Sequence, residues 1–207
     1  GVLDLCRKPY SEHNLYLLGT SFDYRGTGIF GTFPVHKWGD VKGKIIRAEG
    51  NEAEFLSEFG AKCTGVAPAE QYEALHRGTI DATIYPYYSI EALKFYEVVK
   101  YAILPPIILG AIGYVLNLDD WNSLSPDLQK AMDKACKETV METWKIGYDN
   151  GDRVLGLIEE KYGVEVITLP DSEIALGKKV AAELLDKFVK ENPSCAPGAE
   201  IIKRHLA

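Results

Sequence analysis

Apolar residues recur along this chain in two rhythms, short unbroken runs and stretches at helical spacing, and their alternation predicts the elements. Residues 14–19 (Asn-Leu-Tyr-Leu-Leu-Gly) read as a short buried strand. Residues 20–39 are rich in Gly, Thr and aromatics (Phe22, Tyr24, Phe30, Phe33, Trp38), which fits a loop or extended crossing segment best. Residues 44–48 (Lys-Ile-Ile-Arg-Ala) predict a strand, closed by Gly50. The helix expected next turns Glu52, Glu54 and Glu58 outward and Phe55, Leu56 and Phe59 inward, with Gly60 as its C-cap. A strand over 62–66, a helix over 69–77 with Tyr72 and Leu75 inward, a strand over 79–85 ended by Pro86, and a short helix over 88–96 follow.

Strands and helices alternating at this spacing predict a parallel sheet with helices on its faces. Such sheets bind ligands at the carboxyl ends of their strands. Arg47 and Tyr85 both fall near predicted strand ends. Residues 102–116, with two prolines and two glycines, read as a buried strand with turns. Ser125-Pro126 predicts a helix start, Ser as N-cap and Pro at the first helical position. Leu128, Met132, Cys136, Val140 and Trp144 then follow four apart. Continued to Tyr162, past weak points at Gly147 and Gly151, this helix would span about 55 Å at a rise of about 1.5 Å per residue. A helix of that length braces two lobes or mediates dimers. Residues 164–169 predict a strand, 172–190 an amphipathic helix, and 198–206 a terminal helix.

Charge removes whole classes of partner. The net charge of −7 over 207 residues disfavours nucleic acid and anionic membrane surfaces. A small anionic ligand is still allowed, because one local arginine can outweigh the average. No apolar run approaches the roughly 18 residues of a membrane span. No leader is recognisable at Gly1, and a processed or a truncated chain would look the same. Cys6, Cys63, Cys136 and Cys195 lack CxxC spacing and histidines at zinc-ligand distance, so free thiols or one incidental disulfide are expected. His13, His36, His76 and His205 form no nucleophile or metal arrangement. His76 reads as a solvated helix residue and Asp81 as a hydrogen-bonded structural aspartate. GxSxG, HExxH, P-loop and GxGxxG signatures are all missing. The sequence therefore nominates no catalytic residue, no metal site and no cofactor, and a non-enzymatic role is expected.

Four segments carry a resemblance. They are Asp40-Val41-Lys42-Gly43-Lys44-Ile45-Ile46-Arg47, Ala69-Glu70-Gln71-Tyr72-Glu73-Ala74-Leu75 with Gly78-Thr79-Ile80-Asp81, Lys94 to Tyr101, and Trp121 to Lys130. In order and spacing this chain resembles the DctP-type solute-binding proteins of tripartite ATP-independent periplasmic (TRAP) transporters. The resemblance spans roughly residues 13 to 190. It implies an α/β fold with periplasmic-binding-protein-like lobes, a mainly parallel sheet and a long bracing helix, the N-terminal lobe being largely absent. The corresponding division is 1–39 as first-lobe remnant and hinge crossing, 40–116 as the ligand-binding α/β lobe, 117–163 as the long-helix region, and 164–207 as the C-terminal strand and helices.

The resemblance also implies roles. The arginine that closes the strand motif, Arg47 here, pairs with a ligand carboxylate, and a guanidinium suits that task because its two parallel donors match both oxygens. Arg25 looks like the family's second arginine. Tyr85 stands where an asparagine is frequent, and with Tyr87 and Tyr88 around a strand-end proline it predicts a pocket wall, to which Tyr24 is added. Pro68 replaces a frequent phenylalanine, and residues 104–113 are almost wholly apolar where polar contacts are frequent. The expected ligand is accordingly an apolar or aromatic carboxylate rather than a polyhydroxylated one. The implied function is periplasmic capture of a small organic acid and its delivery to TRAP permease subunits in the membrane. The alternatives are a ligand-binding sensor subunit and a truncated, non-binding remnant that forms a homodimer through the long helix.

Overall fold

A computed structural model describes residues 2–22 and 25–206. In chain order the elements are α1 (Val2–Ser11), β1 (Leu15–Phe22), β2 (Thr27–Gly31), β3 (Ile45–Arg47), α2 (Gly50–Glu58), β4 (Lys62–Thr64), α3 (Gln71–His76), β5 (Ala82–Pro86) and α4 (Ser89–Ala92). They continue as β6 (Tyr101–Leu104), β7 (Ala111–Asn117), α5 (Leu118–Ser123), α6 (Pro126–Tyr162), β8 (Glu165–Thr168), α7 (Asp171–Glu191) and α8 (Ala196–Leu206). These elements sort into two units, each assembled from separated stretches of chain. One holds Gly1–Phe22, Ala111–Ile146 and Leu185–Ala207; the other holds Asp23–Gly110 and Gly147–Leu184.

The first unit is built on β1 and β7, paired antiparallel from Leu15 opposite Asn117 to Phe22 opposite Ala111. The Tyr16 ring stacks on Trp121 of α5 at 4.0 Å, and the Arg7 guanidinium lies 5.0 Å from the Tyr16 ring while its Nε donates to the Leu17 carbonyl. Asn117 caps α5 by accepting from the backbone N–H groups of Asp119 and Asp120. Ser125 opens α6 as expected, its hydroxyl accepting from the Leu128 N–H at 3.4 Å. Gly19 of β1 lets α6 approach closely, since a Cβ there would stand 2.5 Å from the Cys136 sulfur. The four-residue series on α6 divides: Met132 and Cys136 line a mainly apolar cavity of about 240 Å³ with Leu18 and Tyr114, whereas Leu128 and Trp144 are exposed.

The second unit is built on a six-stranded sheet of order β4-β3-β5-β2-β6-β8. Strand β3 is parallel to β4 and β5, and β6 is parallel to β8, but β2 runs antiparallel to both β5 and β6. The sheet is therefore mixed, and the expected loop over 20–39 contains one of its inner strands. All five residues of β2 are buried, so its two faces show no polar alternation to betray it. Ile29 packs on one face with Trp38, Ile46, Leu56 and Ile167; Phe30 packs on the other with Tyr87, Phe95, Val154 and Ile158. Trp38 is tied to α7 by its backbone N–H and its Nε1, which donate to the Glu173 carboxylate and carbonyl at 2.7 Å each.

Several expectations hold and several are corrected. Helix α2 ends with Gly60 at φ +84°, donating to the Ser57 carbonyl. Asp81 accepts from the Ile45 N–H at 2.8 Å, the structural use expected of it. All four cysteines are free thiols. Helix α6 runs unbroken past Gly147 and Gly151. The stretch 102–116, expected as one buried strand with turns, is instead two strands in different units, β6 and β7, separated by the Pro105–Pro106 break. Strand β7 exposes Ile112 at 62%.

Candidate functional site

The site lies within the second unit, along one edge of its sheet. Because β3 and β5 are parallel, their carboxyl ends, Arg47 and Tyr85-Pro86, lie at the same edge. Antiparallel β2 starts there: Thr27 pairs with Pro86, and Gly28 with Tyr85. Beyond β6 the chain returns to the same place, the Ile107 N–H donating to the Thr27 carbonyl and the Thr27 N–H to the Ile108 carbonyl. The apolar segment 105–110 therefore borders the strand ends, with the Leu109 side chain exposed.

Arg47 is positioned by β3 and held from three sides. Its side chain is 12% exposed. Nε donates to the Val66 carbonyl at 3.3 Å, a terminal nitrogen lies 3.3 Å from a Glu49 carboxylate oxygen, and the guanidinium carbon is 6.0 Å from the Tyr85 ring centre. The Tyr85 ring is itself set edge-on against Phe95 at 5.8 Å. A Cβ at Gly65, after β4, would stand in ordinary contact with the Glu49 carboxylate, at 3.4 Å. A guanidinium so placed is desolvated enough to bind a carboxylate strongly and open enough to be reached.

Sequence reasoning missed Glu52. It was expected to face outward; it is half-buried, accepts from the Thr27 hydroxyl at 3.2 Å, and also accepts from the Glu49 backbone N–H. Burial pushes the Glu52 carboxyl above the ordinary carboxylate value, with the Thr27 hydrogen bond and the Arg47 charge opposing the rise. The available signal was the Glu-Gly-Asn-Glu stretch directly after the arginine strand.

The other expected wall residues scatter. Tyr24 lies outside the described residues. Tyr87 is not a pocket wall: it is 1% exposed, donates to the Ile103 carbonyl at 2.5 Å, and its ring lies across Gly28, where any side chain would collide with it. Tyr88 opens α4 and is 38% exposed. Arg25 forms an ion pair with Asp152, stacks over Tyr148 at 4.2 Å, and rests its aliphatic stem on Gly151, all on α6. Its Nε is buried without a hydrogen-bond partner.

The described residues thus set a mostly buried guanidinium at the carboxyl ends of the strands of a mixed α/β sheet. The chain belongs to the DctP family, bacterial extracellular solute-binding protein family 7, which it matches over residues 3–192. It is 30% identical over 172 residues to the 2,3-diketo-L-gulonate-binding periplasmic protein YiaO of Escherichia coli (strain K12), an alignment covering 82% of this chain and 51% of that protein. In fold it is similar to a TRAP periplasmic solute-binding protein of Chromohalobacter salexigens DSM 3043 solved with bound D-glucuronate (TM-score 0.86, 22% identity, 99% of this chain and 67% of that one). It is also similar to the periplasmic ectoine-binding protein of the TeaABC TRAP transporter of Halomonas elongata (TM-score 0.81, 26% identity, 91% of this chain and 62% of that one). The chain spans about half the length of the curated relative named above.

Proposed function

We propose that this protein captures a small organic acid outside the cytoplasmic membrane and delivers it to the permease of a TRAP transporter, with Arg47 as the carboxylate anchor. The observation that carries the reading is Arg47 itself: a mostly buried guanidinium at the carboxyl end of β3, already engaged by a carboxylate of its own chain at 3.3 Å. Relatives support the class of ligand, since one is named for binding 2,3-diketo-L-gulonate and another was solved with D-glucuronate. No described helix is long and apolar enough to cross a membrane.

Two features favour an acid whose far end is apolar or aromatic. The Tyr85 ring flanks Arg47, and the segment 105–110 brings Pro, Ile and Leu side chains to the same sheet edge. A polyhydroxylated acid would need polar partners there. Arg25 is held on α6 by Asp152 and Tyr148, so Arg47 and Tyr85 form the core of the proposed site.

Calorimetry on the complete protein tests the anchor. Arg47→Ala should weaken binding of the captured acid by about 2–5 kcal/mol, the usual loss when one partner of a buried charge pair is removed. Arg47→Lys should recover only part of it, because an ammonium lacks the paired donors. Unchanged affinity in both variants removes Arg47 from the site.

A further inference from the structure

The charge around Arg47 does not balance for a plain carboxylate. Glu49 and Glu52 both act on this one guanidinium, Glu49 by direct ion pair and Glu52 through its field. One cation with two carboxylates is already net negative, and a monocarboxylate ligand would add a further negative charge beside a half-buried one. Glu49 is 59% exposed and can swing into water when a ligand takes its place on Arg47. Glu52 cannot leave so easily, because Thr27 and the Glu49 backbone N–H hold it. Like charges kept close in a partly desolvated site repel strongly. A positive charge that arrives with the ligand would offset this deficit.

Building on the function proposed above, we propose that the ligand supplies that charge itself: it is a zwitterion, its carboxylate on Arg47 and its ammonium group on the Glu52 carboxylate. The Tyr85 ring, 6.0 Å from the Arg47 guanidinium, offers a face that attracts either cation. The segment 105–110 takes the apolar remainder. Together these describe an apolar or aromatic amino acid, or an amine-bearing acid of the same shape. Burial pushes Glu52 above its ordinary range, so its carboxylate gains most from a cation that enters the site with the ligand.

The test uses matched pairs on the complete protein: phenylalanine against 3-phenylpropanoate, and leucine against 4-methylpentanoate, each titrated by calorimetry. The wild type should bind the amino form of a pair at least about ten-fold more tightly. Glu52→Gln should erase or invert that preference while the fold survives, because Gln still serves the N3 position of α2. Equal or tighter binding of the acids without the amine, or a preference unchanged by Glu52→Gln, overturns the zwitterion. If those acids bind and Arg47→Ala abolishes it, the carboxylate anchor stands and only the zwitterion falls. If no member of either pair, and no uronate, binds in an Arg47-dependent way, both fall together.

Discussion

Arg47 and Glu52 differ in how far a sequence can speak for a single residue. Arg47 was legible because it closes a motif and sits at a strand end. Glu52 was not, because helical spacing assigns it to an outward face while the start of β2, 25 residues upstream, folds over it through Thr27. Its burial gives a pH signature. A carboxyl raised above its ordinary value holds its proton more tightly folded than unfolded. Its contribution thus favours folding below the ordinary carboxylate value and is lost as pH rises through the raised one. Glu52→Gln should therefore raise the melting temperature at neutral pH and lose that advantage in acid, read by thermal melts across pH. The second residue-scale case is Thr83, fully buried, whose hydroxyl donates to the Gln71 side-chain carbonyl at 2.7 Å, while the Gln71 amide nitrogen has no partner. Thr83→Val strips that fully buried carbonyl of its donor as well. It should destabilise the protein by about 1–3 kcal/mol in urea titrations.

At the scale of the element, α2, α3, α6, α7 and α8 were legible in the sequence, whereas α1, α5 and the inner strand β2 were not. Ser125-Pro126 marks the start of α6 by local chemistry, and the helix continues to Tyr162. Strand β2 reads Thr-Gly-Ile-Phe-Gly, and its two glycines weaken the strand signal. Its Gly28 is a consequence of packing, because the Tyr87 ring occupies the space of a side chain there. The glycines of α6 make a similar distinction. Gly147 and Gly156 have open space where a Cβ would go, whereas at Gly151 the Arg25 stem fills it. Gly147→Ala and Gly156→Ala should each stabilise the protein by about 0.5–1 kcal/mol, the helix-propensity gain. Gly151→Ala should lose that gain and more, because it displaces Arg25 from Asp152 and Tyr148. Denaturant titrations of the three variants check the order.

At the scale of the whole molecule, a site defined by charge should report through stability. A ligand present at about one hundred times its Kd should add about 2.7 kcal/mol to the unit that binds it. Hydrogen exchange should slow at the amides of residues 47–52, where β3 runs into α2. Four motifs in order, a start signal for α6 and an arginine at a strand end were enough, from sequence, for the family and the α/β class, and they nominated Arg47 as the proposed anchor. These are local properties: capping, periodicity and motif spacing act between residues close in the chain. Tertiary structure decided the rest. It set β2 antiparallel inside a partly parallel sheet, joined residues 23–110 to 147–184 in one unit, and turned Tyr87 into the core. It also brought Thr27 to Glu52. Each of these depends on strand pairing between distant segments, and the contacts exist only once the sheet has closed.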